Sequence, residues 1–170
     1  MTKHLWVIRP EPNFIDRLAD FLEFGMVAIG WPGMGDLRGC VTREDFATRL
    51  CGTYEHYSNE LKSDLAVAAG ILDRFVNKIN IGDLVLVPYQ ENVFIGEVTG
   101  DYVFRPELDL DSPAAGYAHW RPVKYLKGSE PYCKIKELPL GVRRGIDCHL
   151  SVFLIHSAAK PMWTFLGRTP

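Results

Sequence analysis

The feature that most constrains this sequence is a series of short apolar runs after residue 80 with no helical pattern between them. Ile81-Gly82-Asp83 turns the chain into Leu84–Pro88, and the run Val93–Val98 returns after a short turn. This spacing predicts a central antiparallel hairpin. Tyr102–Phe104 extends the second strand, and Tyr117–Leu126 alternates as a further strand. A doubly wound nucleotide-binding fold needs regular strand–helix alternation, which is absent here.

The N-terminal part predicts two more strands and a helix between them. Leu5–Ile8 and Met26–Ile29 are apolar runs of strand length. Between these runs, four apolar residues are spaced so that they fall on one face of a helix with 3.6 residues per turn: Phe14, Leu18, Phe21 and Leu22. Gly25 stands where this helix is expected to end.

Two further helices are predicted after an irregular glycine-rich loop. Thr42 with Asp45 resembles a capping box and opens a helix through about Leu50. A longer helix carries the apolar stripe Leu61, Leu65, Ala69, Leu72, Phe75 and Val76. Because strands mostly adjoin each other in sequence, we predict an α+β fold with a curved or barrel-like mixed sheet of about five to six strands and helices outside it. Residues 1–157 are assigned to one domain and 158–170 to a C-terminal tail.

Composition, cysteine spacing and the length of the apolar runs exclude several classes of protein. Hydrophobic residues make up 47% of the chain and charged residues 24%, which is ordinary globular composition. The four cysteines form no C-x-x-C pair, so no zinc site or disulfide framework is predicted. The first apolar run ends at Arg9 and Pro10, and no run approaches the roughly 20 residues of a membrane span. We therefore expect a cytoplasmic protein without a membrane partner.

The sequence contains no recognisable catalytic constellation. Gly33-x-Gly35-x-x-x-Gly39 departs from the dinucleotide-binding spacing, because its third glycine comes one position late. No nucleophile motif is present, and the five histidines are scattered along the chain. An enzyme is consequently the least favoured class, and we expect no cofactor, no metal and no catalytic residue.

Three segments resemble EVE domains. Leu5-Trp6-Val7-Ile8-Arg9-Pro10-Glu11-Pro12 resembles the opening strand and turn of that family. The turn at Gly82-Asp83 and the strand from Phe94 to Tyr102 are similar to its central hairpin. Trp120-Arg121-Pro122-Val123-Lys124 is similar to the strand that follows. Together these segments cover most of residues 4–126.

Other segments are similar to PUA-like modules found beside Mrr-type nuclease domains. They are Ile29-Gly30-Trp31, Gly35-Asp36-Leu37 and Glu137-Leu138-Pro139-x-x-Val142-Arg143-Arg144. The resemblance implies a PUA-like relative of EVE and YTH domains, which hold a modified base extruded from DNA or RNA in an aromatic cage. It implies a restriction or defence context in which a separate nuclease or effector protein supplies any cleavage.

The resemblance also implies site residues. The base-binding candidates are Trp31, Tyr102, Gly30, Asp36, Trp6 and Trp120. Trp31 and Tyr102 match cage positions, whereas Trp6 and Trp120 can equally serve as core aromatics. The formal net charge is −2, but residues 118–144 carry a local charge of +5. The phosphate-binding candidates are Arg9, Lys124, Lys127, Arg143 and Arg144; a solvated face would account for the same charges.

Two alternatives to a base reader remain open. A sensor of a free nucleotide or another small molecule would use the same pocket without a polymer. A partner-binding subunit would have its pocket filled by its own side chains. A polymer reader should place the basic residues of 121–144 on the same face as the pocket.

Overall fold

The computed structural model describes residues 3–59, 62–147, 150–155 and 159–168. Its strands are β1 (Leu5–Ile8), β2 (Met26–Ile29), β3 (Leu84–Tyr89), β4 (Asn92–Val98), β5 (Val103–Phe104), β6 (His119–Tyr125), β7 (Cys133–Lys134) and β8 (Val152–Leu154). Six of them form one curled sheet in the order β2-β6-β4-β3-β1-β8. The short strands β5 and β7 pair with β6 and β4 respectively.

The sheet is mixed because one of its strand pairs is parallel. Strand β1 runs parallel to β3, with Leu5 opposite Leu84, and antiparallel to β8. The predicted central hairpin is β3–β4, paired from Leu84 opposite Glu97 to Tyr89 opposite Asn92. The predicted α+β class with a curved mixed sheet is confirmed.

Helices pack around this sheet. They are α1 (Leu18–Phe24), α2 (Arg43–Thr53), α3 (Glu55–Asn59), α4 (Lys62–Asp73), α5 (Leu140–Ile146) and α6 (Ala159–Phe165). The predicted capping box is present at α2, where Thr42 Oγ1 accepts from Asp45 N and the Asp45 carboxylate accepts from Thr42 N. Gly25 ends α1 in the left-handed conformation, with φ 60°. Within the described part of the chain, no helix combines the length and apolar character needed to cross a membrane.

The prediction that Phe14 belongs to the apolar face of the first helix is wrong. Phe14 lies in a short 3₁₀ turn, Pro12–Phe14, and its side chain is fully exposed. Asn13 and Phe14 have φ values of 53° and 61°, which a right-handed helix cannot accommodate. Helix α1 therefore begins only at Leu18.

Both faces of the sheet are buried, and alternate residues of each strand serve different cores. In β1, Trp6 and Ile8 pack in a core covered by α2 and α4, while Leu5 and Val7 pack in a second core covered by α5 and α6. The period of two that separates them is the normal pleat of a strand. The second core includes Met162 and Trp163 of α6, within the segment predicted as a tail.

Candidate functional site

A cavity of about 290 Å³ opens where β1 and β2 end. Its walls come from residues 9–14 after β1, residues 28–32 at the end of β2, and the junction of α2 and α3. Asp111 and Ser151 complete the lining. The volume lies at the lower end of the roughly 300–1,000 Å³ typical of ligand pockets, which suits one small planar group.

One side of the cavity is an aromatic wall formed by Trp31, Tyr54, His56 and Tyr57. Trp31 Nε1 donates to the hydroxyl oxygen of Tyr57 over 3.2 Å. The rings of His56 and Tyr57 lie 4.2 Å apart between centroids, and Tyr54 meets Tyr57 edge to face at 6.0 Å. Tyr54 caps α2 in an extended conformation, and this break between α2 and α3 brings the three side chains to the cavity.

Two bulky aromatic residues of the cavity lining have left-handed backbone. Phe14 has φ 61° and Trp31 has φ 67°. Residues with a Cβ avoid this region, and for a bulky side chain it is a genuine outlier. Asn13, beside Phe14, packs so closely on Gly30 that a Cβ there would lie 2.6 Å from Asn13 N. The close packing of the two turns holds both aromatic residues in place.

The glycine loop, residues 30–39, is held by three side chains from α2, its C-cap and the loop that contains Asp109. The Asp109 carboxylate accepts from Gly33 N at 2.8 Å and from Gly35 N at 2.9 Å. Arg49 Nη1 donates to the Met34 carbonyl at 2.8 Å. The Tyr54 hydroxyl donates to the Pro32 carbonyl. These bonds give Trp31 a defined position despite its irregular backbone.

A buried hydrogen-bond chain lies behind the glycine loop. Leu37 N donates to the Tyr102 hydroxyl at 3.3 Å, and this hydroxyl is 2.7 Å from His119 Nδ1. The Tyr102 hydroxyl donates to Nδ1 when the other ring nitrogen of His119 carries the proton, and it accepts from Nδ1 in the opposite tautomer. Burial lowers the pKa of His119 to about 4, which keeps the imidazole neutral in this role. Burial also raises the pKa of Tyr102 well above its usual range.

The charges of the cavity wall are mostly negative. Glu11 and Asp111 are acidic lining residues, and Arg9 is the single lysine or arginine among the described lining residues. Arg9 Nη2 donates to the Ile146 carbonyl at 2.8 Å. Burial raises the pKa of Glu11; the charge of Arg9 opposes that shift and the charge of Asp16 adds to it.

Among the predicted base-binding residues, the described lining of the cavity includes Trp31 and Gly30. Tyr102 is 8% exposed and serves the buried chain behind the loop instead. Asp36 pairs with Arg38 on the surface, an interaction that lowers the pKa of its carboxyl. Tyr102 and Asp36 are therefore not among the described lining residues of the cavity that contains Trp31.

Trp6 and Trp120 lie in the core that α2 and α4 cover. Trp6 Nε1 donates to the buried Asp83 carboxylate at 2.8 Å, and the same carboxylate accepts from the backbone of His4. Trp120 Nε1 donates to the Tyr117 carbonyl at 2.6 Å, and Phe24 stacks on its ring. Both tryptophans take the core-packing role that the sequence left open.

The predicted phosphate-binding residues are dispersed. Arg9 lines the cavity, while Lys124 and Lys127 are exposed on and after β6. Arg143 lines a separate surface cleft with Glu91 and Asp147, and Arg144 is exposed on α5. In the described lining of the aromatic cavity, the basic residues of 121–144 are absent.

Arg121, which contributes to the local +5 charge, is a structural residue. It is 3% exposed, and its Nε and Nη2 donate to the carbonyls of Phe75 and Val76 at 2.7 Å. These carbonyls belong to a π-helical turn, Arg74–Lys78, that follows α4. Arg121 joins this turn to β6 and is shielded from any phosphate.

Sequence reasoning missed most of the aromatic wall. The run Tyr54-Glu55-His56-Tyr57 was a detectable signal, since three aromatic rings follow a helix that ends at Gly52-Thr53. The role of Phe14 had no such signal, because its helical spacing matched the residues of α1. Among the described residues, no group of three or more His, Cys, Asp or Glu side chains could hold a metal ion.

Comparison with known proteins gave one match. A family model described as "Domain of unknown function (DUF8426)" matches residues 14–144. This segment includes Phe14, the aromatic wall and the chain from Leu37 to His119, whereas Arg9 and Glu11 precede it. No match was found among curated proteins or among solved structures.

Proposed function

We propose that this chain, which belongs to the DUF8426 family, is a binding module that holds one flipped, modified base of a nucleic acid in the aromatic cavity. The observation that carries the proposal is the left-handed backbone of Phe14 and Trp31. Each such residue costs about 1–3 kcal/mol, and this kind of strain concentrates at ligand sites. Glycine would relieve this strain, so each aromatic side chain is held here at a cost in stability.

The chemistry of the wall supports a base as the occupant. A flipped base presents two π faces and a hydrogen-bonding edge. The aromatic wall and Phe14 supply surfaces for the faces. Asn13 and Ser151 supply polar side chains for the edge. A cavity of about 290 Å³ is large enough for a single base.

The proposal includes a partner and a setting. The resemblance to modules of modification-dependent restriction systems suggests that a separate nuclease or effector protein acts on the nucleic acid held here. In this proposal the module binds the nucleic acid, and the partner supplies any cleavage.

A sensor of a free nucleoside or a related planar molecule is the second candidate. It is favoured by the dispersal of the predicted phosphate contacts, of which Arg9 lies in the described cavity lining. A polymer reader needs further phosphate contacts outside the pocket. Its affinity should therefore fall with salt, and neutralising each contacting residue should lower the slope by about 1.

The proposal is tested by fluorescence anisotropy with DNA and RNA oligonucleotides carrying one methylated cytosine or adenine, beside unmodified ones. We expect tighter binding of a modified oligonucleotide. Trp31→Ala should lose about 1–3 kcal/mol of binding free energy while the melting temperature changes little. Val41→Ala, which truncates a side chain 71% exposed and outside the cavity, should leave binding unchanged.

Three other outcomes would change the conclusion. Free nucleosides that bind as tightly as the oligonucleotides, without salt dependence, would establish the second candidate. A folded Trp31→Ala variant with unchanged affinity would remove the cavity from the binding site. Failure of every oligonucleotide and nucleoside to bind would overturn both candidates.

A further inference from the structure

Acidic side chains dominate the surroundings of the cavity. Glu11 and Asp111 line it, and the Asp109 carboxylate binds the backbone of the glycine loop that carries Trp31. Arg9 is the single lysine or arginine among the described lining residues, and its guanidinium donates to the Ile146 carbonyl. The formal charge of these groups is therefore negative.

The pKa values of two ionisable groups of the wall are raised, mainly by burial. Burial raises the pKa of the Tyr54 hydroxyl well above its usual range, and the charges of Asp109 and Asp111 raise it further. The pKa of Glu11 is raised by burial despite the opposing charge of Arg9. A positive ligand would stabilise the ionised form of Glu11, and an anionic ligand would destabilise it.

The aromatic wall also favours a positively charged ligand. The faces of tryptophan, tyrosine and phenylalanine carry negative potential and attract cations within about 6 Å of the ring centroid. Trp31, Tyr54 and Tyr57 contribute such rings on one side, and Phe14 contributes another at the opening. Rings and carboxylates together suit a flat group that carries a positive charge.

We propose that the base held in this cavity is cationic, as a purine or pyrimidine becomes when a ring nitrogen is methylated. This inference rests on the proposed function and specifies its ligand. Glu11 and Asp111 supply the opposite charge, and the aromatic wall encloses the ring. Phosphate groups of the nucleic acid remain outside, because the cavity disfavours anions.

The experiment uses two isomeric nucleosides that differ in charge. 1-Methyladenosine is protonated and cationic at neutral pH, whereas N6-methyladenosine has the same heavy atoms and is neutral. Isothermal titration calorimetry measures the affinity of the full chain for each nucleoside, both free and within the same oligonucleotide. We expect the cationic isomer to bind at least about tenfold more tightly. Guanosine and cationic 7-methylguanosine form a second pair with the same expected order.

Charge variants test the origin of the preference. Glu11→Gln combined with Asp111→Asn should reduce the preference several-fold, while Glu23→Gln, an exposed change on α1, should leave it intact. Equal or tighter binding of the neutral isomer would overturn the inference and leave the proposed function standing. A preference that survives the double variant would overturn the role of the carboxylates. Binding of no nucleoside or oligonucleotide would overturn the proposed function itself.

Discussion

The Tyr102 hydroxyl lies 2.7 Å from Nδ1 of His119 in a fully buried hydrogen bond, and the same hydroxyl accepts from Leu37 N. The bond connects β6 to the glycine loop that carries Trp31 at its start. Burial lowers the pKa of His119, so its imidazole is neutral in this bond at pH 7. The geometry of the cavity wall is consequently linked to the protonation state of a residue outside the cavity.

Stability should fall as the pH decreases from about 6.5 through about 4. The pKa of His119 is lowered from 6.5 to about 4 in the folded protein, so the unfolded chain binds more protons in this window. The buried neutral His119 contributes up to about 3 kcal/mol to the free energy of unfolding, and this contribution is complete above pH 6.5. Urea denaturation at pH 7, 5.5 and 4.5 measures it. His119→Asn keeps an acceptor but cannot titrate, and an identical pH slope in this variant would contradict the prediction.

Removing the Tyr102 hydroxyl should destabilise the protein by about 1–3 kcal/mol, because Tyr102→Phe leaves Leu37 N and His119 Nδ1 buried without their partner. Tyr89→Phe is the matched control, since the Tyr89 hydroxyl donates to Asp16 at an exposed site. We expect it to cost less than about 1 kcal/mol. Denaturant midpoints compare the stability of the two variants. Equal losses of stability would show that burial of the Tyr102–His119 hydrogen bond has no effect.

Phe14→Gly should raise stability and weaken binding. The Phe14 side chain is 100% exposed and its φ is 61°, so glycine removes strain without removing packing. The larger conformational entropy that glycine loses on folding offsets part of this relief and leaves a net gain of about 0.5–1 kcal/mol. Loss of a stacking surface should cost about 1–3 kcal/mol of binding. Gln90→Gly, at φ 52° in the β3–β4 turn, should give the stability gain alone. Unchanged binding in Phe14→Gly would exclude that ring from the site.

Arg121 should act on stability and not on phosphate binding. Arg121→Met leaves the carbonyls of Phe75 and Val76 without donors, which we expect to cost about 2–3 kcal/mol. Lys124→Met changes an exposed residue of the same strand and should stay within about 0.5 kcal/mol. Thermal melts measure both. A lower salt slope of nucleic-acid binding in a stable Arg121→Met protein would refute the structural role.

The sequence by itself determined the elements whose signals are local. The capping box at Thr42 and Asp45 and the stop at Gly25 depend on residues a few positions apart, so both were predictable. The β3–β4 hairpin was predictable because two apolar runs flank a short turn. The mixed sheet then followed from strands that adjoin each other in sequence, and Trp31 was identified at the exit of β2.

The tertiary structure alone decided which side chains share a site. The sequence placed Tyr102 at a turn that suits an aromatic cage. In the structure its hydroxyl bonds to His119, 17 residues away, and its side chain is buried in the interior. The sequence placed Arg121 in a basic segment. In the structure its guanidinium donates to a carbonyl of a turn 45 residues earlier in the chain. Phe14 matched a helical face that Asn13 and its contact with Gly30 interrupt. These outcomes depend on contacts between distant segments, which residue spacing along one strand or helix does not encode.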